Sequence, residues 1–240
     1  MELFWILLIV SVASLIKGIT GFGFALVALP PLLIWYSPVE IIPVLLVCNL
    51  ISSTIIVLQK KERGLVKPEY RSLIVFGGIF SFAGAAVLKY IPEETMIRTI
   101  SVVFIVLTLL TIFSVKKVLS ISKLTYKISG AVIGFLTGAI SVSGPPLAIL
   151  LNLTKVNNRE FREIFSWFNI VTSIIAIAGY LSMGLLTQES LKMLLMFFPI
   201  LYVGSFIGKR LNNFIPNNIF RSATLTITLV SCLVLLLRAA

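Results

Sequence analysis

Apolar residues run along this chain in ten stretches, roughly 3–16, 22–37, 39–59, 72–91, 96–115, 128–137, 145–153, 163–183, 190–208 and 218–237. Within them the apolar positions are continuous rather than alternating, so they read as helices and not as strands of an outer-membrane barrel. Six runs are about 18–21 residues long, enough to cross ~30 Å of hydrocarbon at 1.5 Å per residue. The other four, 3–16, 22–37, 128–137 and 145–153, are short and form two adjacent pairs. Each pair flanks a polar break. The first break is Lys17-Gly-Ile-Thr-Gly-Phe-Gly-Phe-Ala25, followed by Pro30-Pro31; the second is Thr137-Gly-Ala-Ile-Ser-Val-Ser-Gly144, followed by Pro145-Pro146. Irregular backbone at membrane depth survives only where protein buries it or where it lines a cavity. A matched pair of such breaks is the best sequence pointer to a transporter's binding site.

Further matches relate the halves. Asn49-Leu-Ile-Ser-Ser53 corresponds to Asn169-Ile-Val-Thr-Ser173, Ser81-Phe-Ala-Gly84 to Ser205-Phe-Ile-Gly208, and Ile91-Pro92 to Ile215-Pro216, in the same order at offsets of 120 to 124. Residues 1–117 and 123–240 therefore read as duplicated units of a single membrane domain, with 118–122 as linker inside the short basic stretch Val115–Lys127.

Charge orients the halves. If each break lay within one ordinary span, the basic residues would divide eleven to eight between the two faces. If each short pair is a re-entrant hairpin, loops 60–71, 116–127, 155–162 and 209–221 share one face and collect fifteen, leaving four on the other. The positive-inside rule selects the second arrangement and puts those loops in the cytoplasm. The expected fold is an all-α polytopic membrane protein of two inverted repeats, about eight hydropathy spans in all. Each repeat is a broken short-helix hairpin plus three full transmembrane helices. The expected location is the cell membrane.

Composition narrows the chemistry. The chain has 240 residues, 58% hydrophobic and 12% charged, with mean hydropathy +1.08. All nine acids are Glu, and there is no Asp or His, which argues against metal or hydrolytic chemistry: no enzyme and no cofactor are expected. Cys48 and Cys232 read as small buried hydrophobes. The net charge of +11 sits in loops facing anionic lipid rather than nucleic acid. Trp5, Trp35 and Trp167 are candidate interfacial anchors.

Opposed hairpins would bring two tips together near the midplane, each presenting the N-terminus of a half-helix, which suits an anion. Lys17 is the one charged residue between Glu2 and Glu40. It reads as an anion-binding or gating charge, or as a lysine snorkelling from a shallower position. Gly18, Gly21, Gly23, Gly138 and Gly144 allow backbone to approach a ligand, or else helices to pack closely. Thr20, Thr137, Ser141 and Ser143 can donate to oxyanions or back-bond to helix carbonyls. Asn49 and Asn169, with Ser52 and Thr172 about one turn on, form either part of the site or interhelical clamps.

Gly-x-x-Gly-x-Gly followed by a Pro-containing helix, repeated in the second half with an Asn-Ser/Thr element after each break, resembles the sulfite exporter TauE/SafE family over nearly the whole chain. The resemblance implies a membrane protein moving sulfite, sulfonates or related organic anions, as a secondary transporter and an exporter. An anion channel, or an importer of an organic acid, fits the same scaffold. Where the family often carries Gly-Gly-Gly, this chain has Gly21-Phe22-Gly23-Phe24 and Ser141-Val-Ser-Gly144, so bulky Phe22 and Phe24 are expected to narrow or reshape the first tip, and the anion stays open. The expected partners are a small anion and the bilayer, and a homodimer is compatible with this reading. No intramembrane carboxylate stands out as a proton carrier, since Glu40, Glu160 and Glu163 lie near span ends. Cysteines placed in loops 60–71 and 209–221 are expected to react with an impermeant thiol reagent from the same side of the membrane; labelling from opposite sides would refute the inversion.

Overall fold

The computed structural model describes residues 1–58, 68–112, 121–154, 156, 158–211 and 217–239. Ten helices are defined: α1 (Glu2–Thr20), α2 (Phe24–Leu32), α3 (Pro38–Leu58), α4 (Pro68–Tyr90), α5 (Glu93–Ile112), α6 (Lys123–Ile140), α7 (Gly144–Asn152), α8 (Asn158–Ser182), α9 (Gln188–Leu211) and α10 (Asn217–Ala239). Among the described residues, six are long and apolar enough to cross a membrane: α1, α3, α4, α5, α8 and α9. Most of the basic residues of loops 60–71 and 116–127, much of the linker 118–122, and parts of loops 155–162 and 209–221 lie outside the described residues.

The helices follow the apolar runs closely, with one correction. The first arm of each broken pair is not short: α1 has 19 residues and α6 has 18, about 27–28 Å each. Only α2 and α7 are short, at nine residues. The apolar count stops early because helix α1 continues through Lys17, Gly18 and Thr20, and α6 starts in the polar stretch Lys123–Lys127. Ser122 caps α6, its side chain accepting from the Thr125 N–H at 3.1 Å.

Small residues decide the packing. Gly130, Gly134 and Gly138 of α6 lie directly against the backbone of Leu73, Gly77 and Ser81 in α4, so these two helices run parallel with their main chains in contact. Helix α8 lies along α4 in the same sense: Gly77 meets Phe168 and Thr172, while Gly179 meets Phe82 and Ala85. The Ser81 hydroxyl donates to the Thr172 carbonyl at 3.0 Å, and the Tyr180 hydroxyl donates to the Gly138 carbonyl. The other side repeats the scheme. Gly204 of α9 meets Ser14 of α1, Gly18 of α1 meets Ser205 and Gly208, and α3 packs on α9. Two close-packed bundles result, α4–α6–α8 and α1–α3–α9. They meet where α3 crosses α8, and α5 packs on α10 at the periphery. Each bundle draws helices from both halves of the sequence.

Large apolar side chains left exposed fall at helical spacing on the outer faces: Val102, Val106 and Leu109 on α5, and Leu191, Leu195, Phe198 and Tyr202 on α9. Such stripes suit hydrocarbon. Cys48 and Cys232 are free and buried. A methyl group at Gly134 would overlap the Gly77 carbonyl, which belongs to backbone and cannot rotate away. Gly134→Ala is therefore expected to cost about 1–3 kcal/mol, as overpacking does. It should lower the melting temperature of the detergent-solubilised protein clearly more than the outward-facing Leu109→Ala; equal effects would refute the close α4–α6 contact.

Candidate functional site

Both breaks need unusual backbone, and the sequence supplies it. Helix α1 ends at Gly21 with φ 84°, its N–H closing onto the Lys17 carbonyl at 2.8 Å. Gly23, at φ 92°, then caps the start of α2. These left-handed conformations suit glycine. The Thr20 hydroxyl holds the turn between them, donating to the carbonyl of Ile16 or Phe22 and accepting from the Phe22 N–H. In the second break Ser141 takes the left-handed role at φ 56°, its N–H closing onto the Thr137 carbonyl at 2.9 Å. Gly144, Pro145 and Pro146 then make the first turn of α7.

The two tips touch. A Cβ on Gly144 would lie 3.1 Å from the Phe22 ring. That ring packs on Phe165 and Phe161 of α8, at 5.7 and 6.1 Å between centroids. Phe22 thus anchors the first tip in the opposite bundle rather than narrowing a path at its own tip. Phe24 points inward under Lys17 instead, with Nζ 6.0 Å from the ring centroid.

Between the tips lies a cavity of about 10 Å³, lined by Gly23, Phe24, Ala25, Leu26, Asn49, Ser141, Val142, Ser143, Gly144, Pro145 and Phe165. It holds one water-sized group. The N-termini of α2 and α7 both face it. The N–H groups of Phe24, Ala25 and Leu26 have no intrahelical acceptor, and α2 has no side-chain cap. In α7 the prolines remove two of the three equivalent donors and leave the Gly144 N–H. The site is therefore lopsided, with most backbone donors on the first tip.

Lys17 is buried, 1% exposed, but stands behind the cavity wall. Its Nζ donates to Asn49 Oδ1 at 2.7 Å and to the Asn49 carbonyl at 3.2 Å. An ammonium carries no acceptor, so the Asn49 amide must turn its oxygen to Lys17 and its nitrogen away. Asn49 Nδ2 donates in turn to Ser141 Oγ at 3.2 Å and more weakly to the Ser141 carbonyl at 3.4 Å. This chain joins α1 and α3 of one bundle to the tip carried by the other. Asn169 is arranged differently. Its Nδ2 donates to the Phe165 carbonyl at 3.2 Å, which turns Oδ1 toward the donating Ser143 hydroxyl at 2.7 Å.

Of the residues singled out from sequence, Gly23, Asn49, Ser141, Ser143 and Gly144 line the cavity. Lys17 and Asn169 stand immediately behind it, and Thr20 and Gly21 shape the first turn. Ser52, Thr137 and Thr172 back-bond to Cys48, Ile133 and Phe168. Gly18 and Gly138 sit in helix crossings. Phe165 was not anticipated, although its place one turn before Asn169 on an otherwise apolar face carries that signal.

No protein of curated function and no solved structure matches the chain. The profile of one family, described as sulfite exporter TauE/SafE, matches residues 6–235. That span includes both tips and every helix packed around them, and the chain belongs to the sulfite exporter TauE/SafE family of membrane transport proteins.

Proposed function

We propose that this protein is a secondary transporter, in the exporting direction, for small anions such as sulfite, sulfonates or related organic anions, working by alternating access around the cavity between the tips. One observation carries the reading: the cavity wall holds a surplus of buried donors. The α2 N–H groups and the Gly144 N–H converge on it, with the Asn49 amide bonded to Ser141 on its wall and Lys17 directly behind. Donors and positive helix ends concentrated in a buried site favour an anion. Among the described residues no group of three or more metal-ligating side chains is present.

The same packing supports inverted repeats. Helices α6 and α8 both run parallel to α4, so the chain between them, α7 included, has to return toward the face it left. Two long spans joined through residues 183–187 run in opposite directions, so α9 opposes α8, and α1, parallel to α9, opposes α6. Fifteen basic residues then share the cytoplasmic face of the cell membrane. The bodies that rock are the two bundles rather than the two sequence halves, since α1 is fused to α9 and α6 to α4 by backbone contact. An oxyanion exceeds the present cavity, so this conformation is closed around the site, and the tips part to admit a ligand. The bundles are not equally locked: Ser81 bonds to α8, whereas the equivalent Ser205 hydroxyl is buried without a partner.

Purified protein in liposomes is expected to show saturable uptake of at least one member of a panel of sulfite, sulfate, taurine, sulfoacetate and small carboxylates, with exchange of labelled for unlabelled anion. Flux that neither saturates nor exchanges would favour a channel instead. Lys17→Ala should weaken anion binding at least as strongly as the variants below while the protein still inserts. Lys17→Met and Asn49→Leu test the connection between the two residues. Each is expected to weaken binding by about tenfold or more, and the double variant should be little worse than either alone. Additive losses would mean that Lys17 meets the anion directly.

A further inference from the structure

The two hydroxyl groups on the cavity wall face it with opposite hydrogen-bonding character. Ser141 Oγ accepts from Asn49, which is itself turned by Lys17. That bond engages one of its lone pairs, and its own proton remains to be donated. The relay Lys17 to Asn49 to Ser141 therefore runs toward the cavity and ends there on a proton. Each donor polarises the next, so the ammonium acts at a distance on the Ser141 hydroxyl. The second relay runs outward. The Phe165 carbonyl can only accept, so Asn169 must give it Nδ2 and offer Oδ1 to Ser143. Ser143 spends its only proton on that oxygen at 2.7 Å. Both serines are buried, 2% and 5% exposed, and both line the cavity. What Ser143 presents to the cavity is lone pairs, opposite the N–H groups at the start of α2.

We propose that the site selects anions that carry a hydrogen-bond donor of their own, such as a hydroxyl, an ammonium or a protonated oxyanion oxygen. The negative oxygens lie toward Ser141, Gly144 and the α2 N-terminus, and the ligand's donor faces Ser143 Oγ. A ligand without that donor leaves the Ser143 oxygen buried and unpaired. This inference deepens the anion-transport reading and depends on it.

The test uses the full-length purified protein and matched anions differing by one hydroxyl: hydroxymethanesulfonate against methanesulfonate, and glycolate against acetate. Affinity is measured by titration calorimetry and by competition in liposome uptake. The wild type is expected to prefer the hydroxylated member of at least one pair by roughly tenfold or more, as when a buried acceptor would otherwise lose its donor. Ser143→Ala should abolish that preference by weakening the hydroxylated member alone, and Ser143→Thr, which keeps the oxygen, should restore it. Ser141→Ala should weaken both members alike. Equal binding of paired anions by the wild type, or a preference that survives Ser143→Ala, would overturn the inference and leave anion transport standing. Binding of none of the anions, including those of the uptake panel, would instead overturn the anion reading itself.

Discussion

A broken helix inside a hydrocarbon layer leaves main-chain donors and acceptors that lipid cannot satisfy, and the arrangement of this protein follows from how that cost is met. On the acceptor side, the chain meets it internally. Glycine or serine in a left-handed conformation ends α1 and α6, returning an N–H to the last turn. Pro30 cannot bond to the Leu26 carbonyl, and the Thr228 hydroxyl of α10 supplies that bond at 3.1 Å. On the donor side, the cost is left standing. The first N–H groups of α2 face a small cavity and have no acceptor within their own helix. In the proposed function, an incoming anion is the group that completes them.

The glycine contacts make this arrangement mechanical as well as chemical. Where α6 meets α4 and α1 meets α9, backbone lies against backbone, which couples each pair tightly. Each tip is thereby carried by a bundle built from both halves of the chain. Phe22 reaches from the first tip into the aromatic cluster at Phe161 and Phe165, and Asn49 reaches the second tip at Ser141. These two bridges span the cavity, and opening it requires that one or both give way. In the proposed transport cycle, a relative displacement of the bundles and access to the site are therefore the same event.

Helix positions were legible in the sequence because a membrane-embedded helix must be apolar along its length, and the ten runs map onto ten helices. The lengths of α1 and α6 were not legible. Hydropathy ends where polar residues begin, whereas a helix continues wherever its neighbours bury those residues: Lys17 is hidden by Asn49 and Phe24, and Gly18 by α9. The role of Phe22 was equally hidden. A phenylalanine between two glycines looks like an obstruction at the tip, and only the position of α8 turns it into an anchor.

By itself the sequence determined that this chain is a helical membrane protein of the sulfite exporter family, with two related polar breaks and a lysine beside the first. Those facts reside in composition, order and spacing, which the chain carries before it folds. The tertiary structure decided which polar atoms face the cavity and with which character. Asn49 and Asn169 are the same residue at matching positions, yet one amide is turned by an ammonium and the other by a carbonyl. The direction of a hydrogen bond depends on the partner across the interface, and that partner is fixed only when the helices have packed.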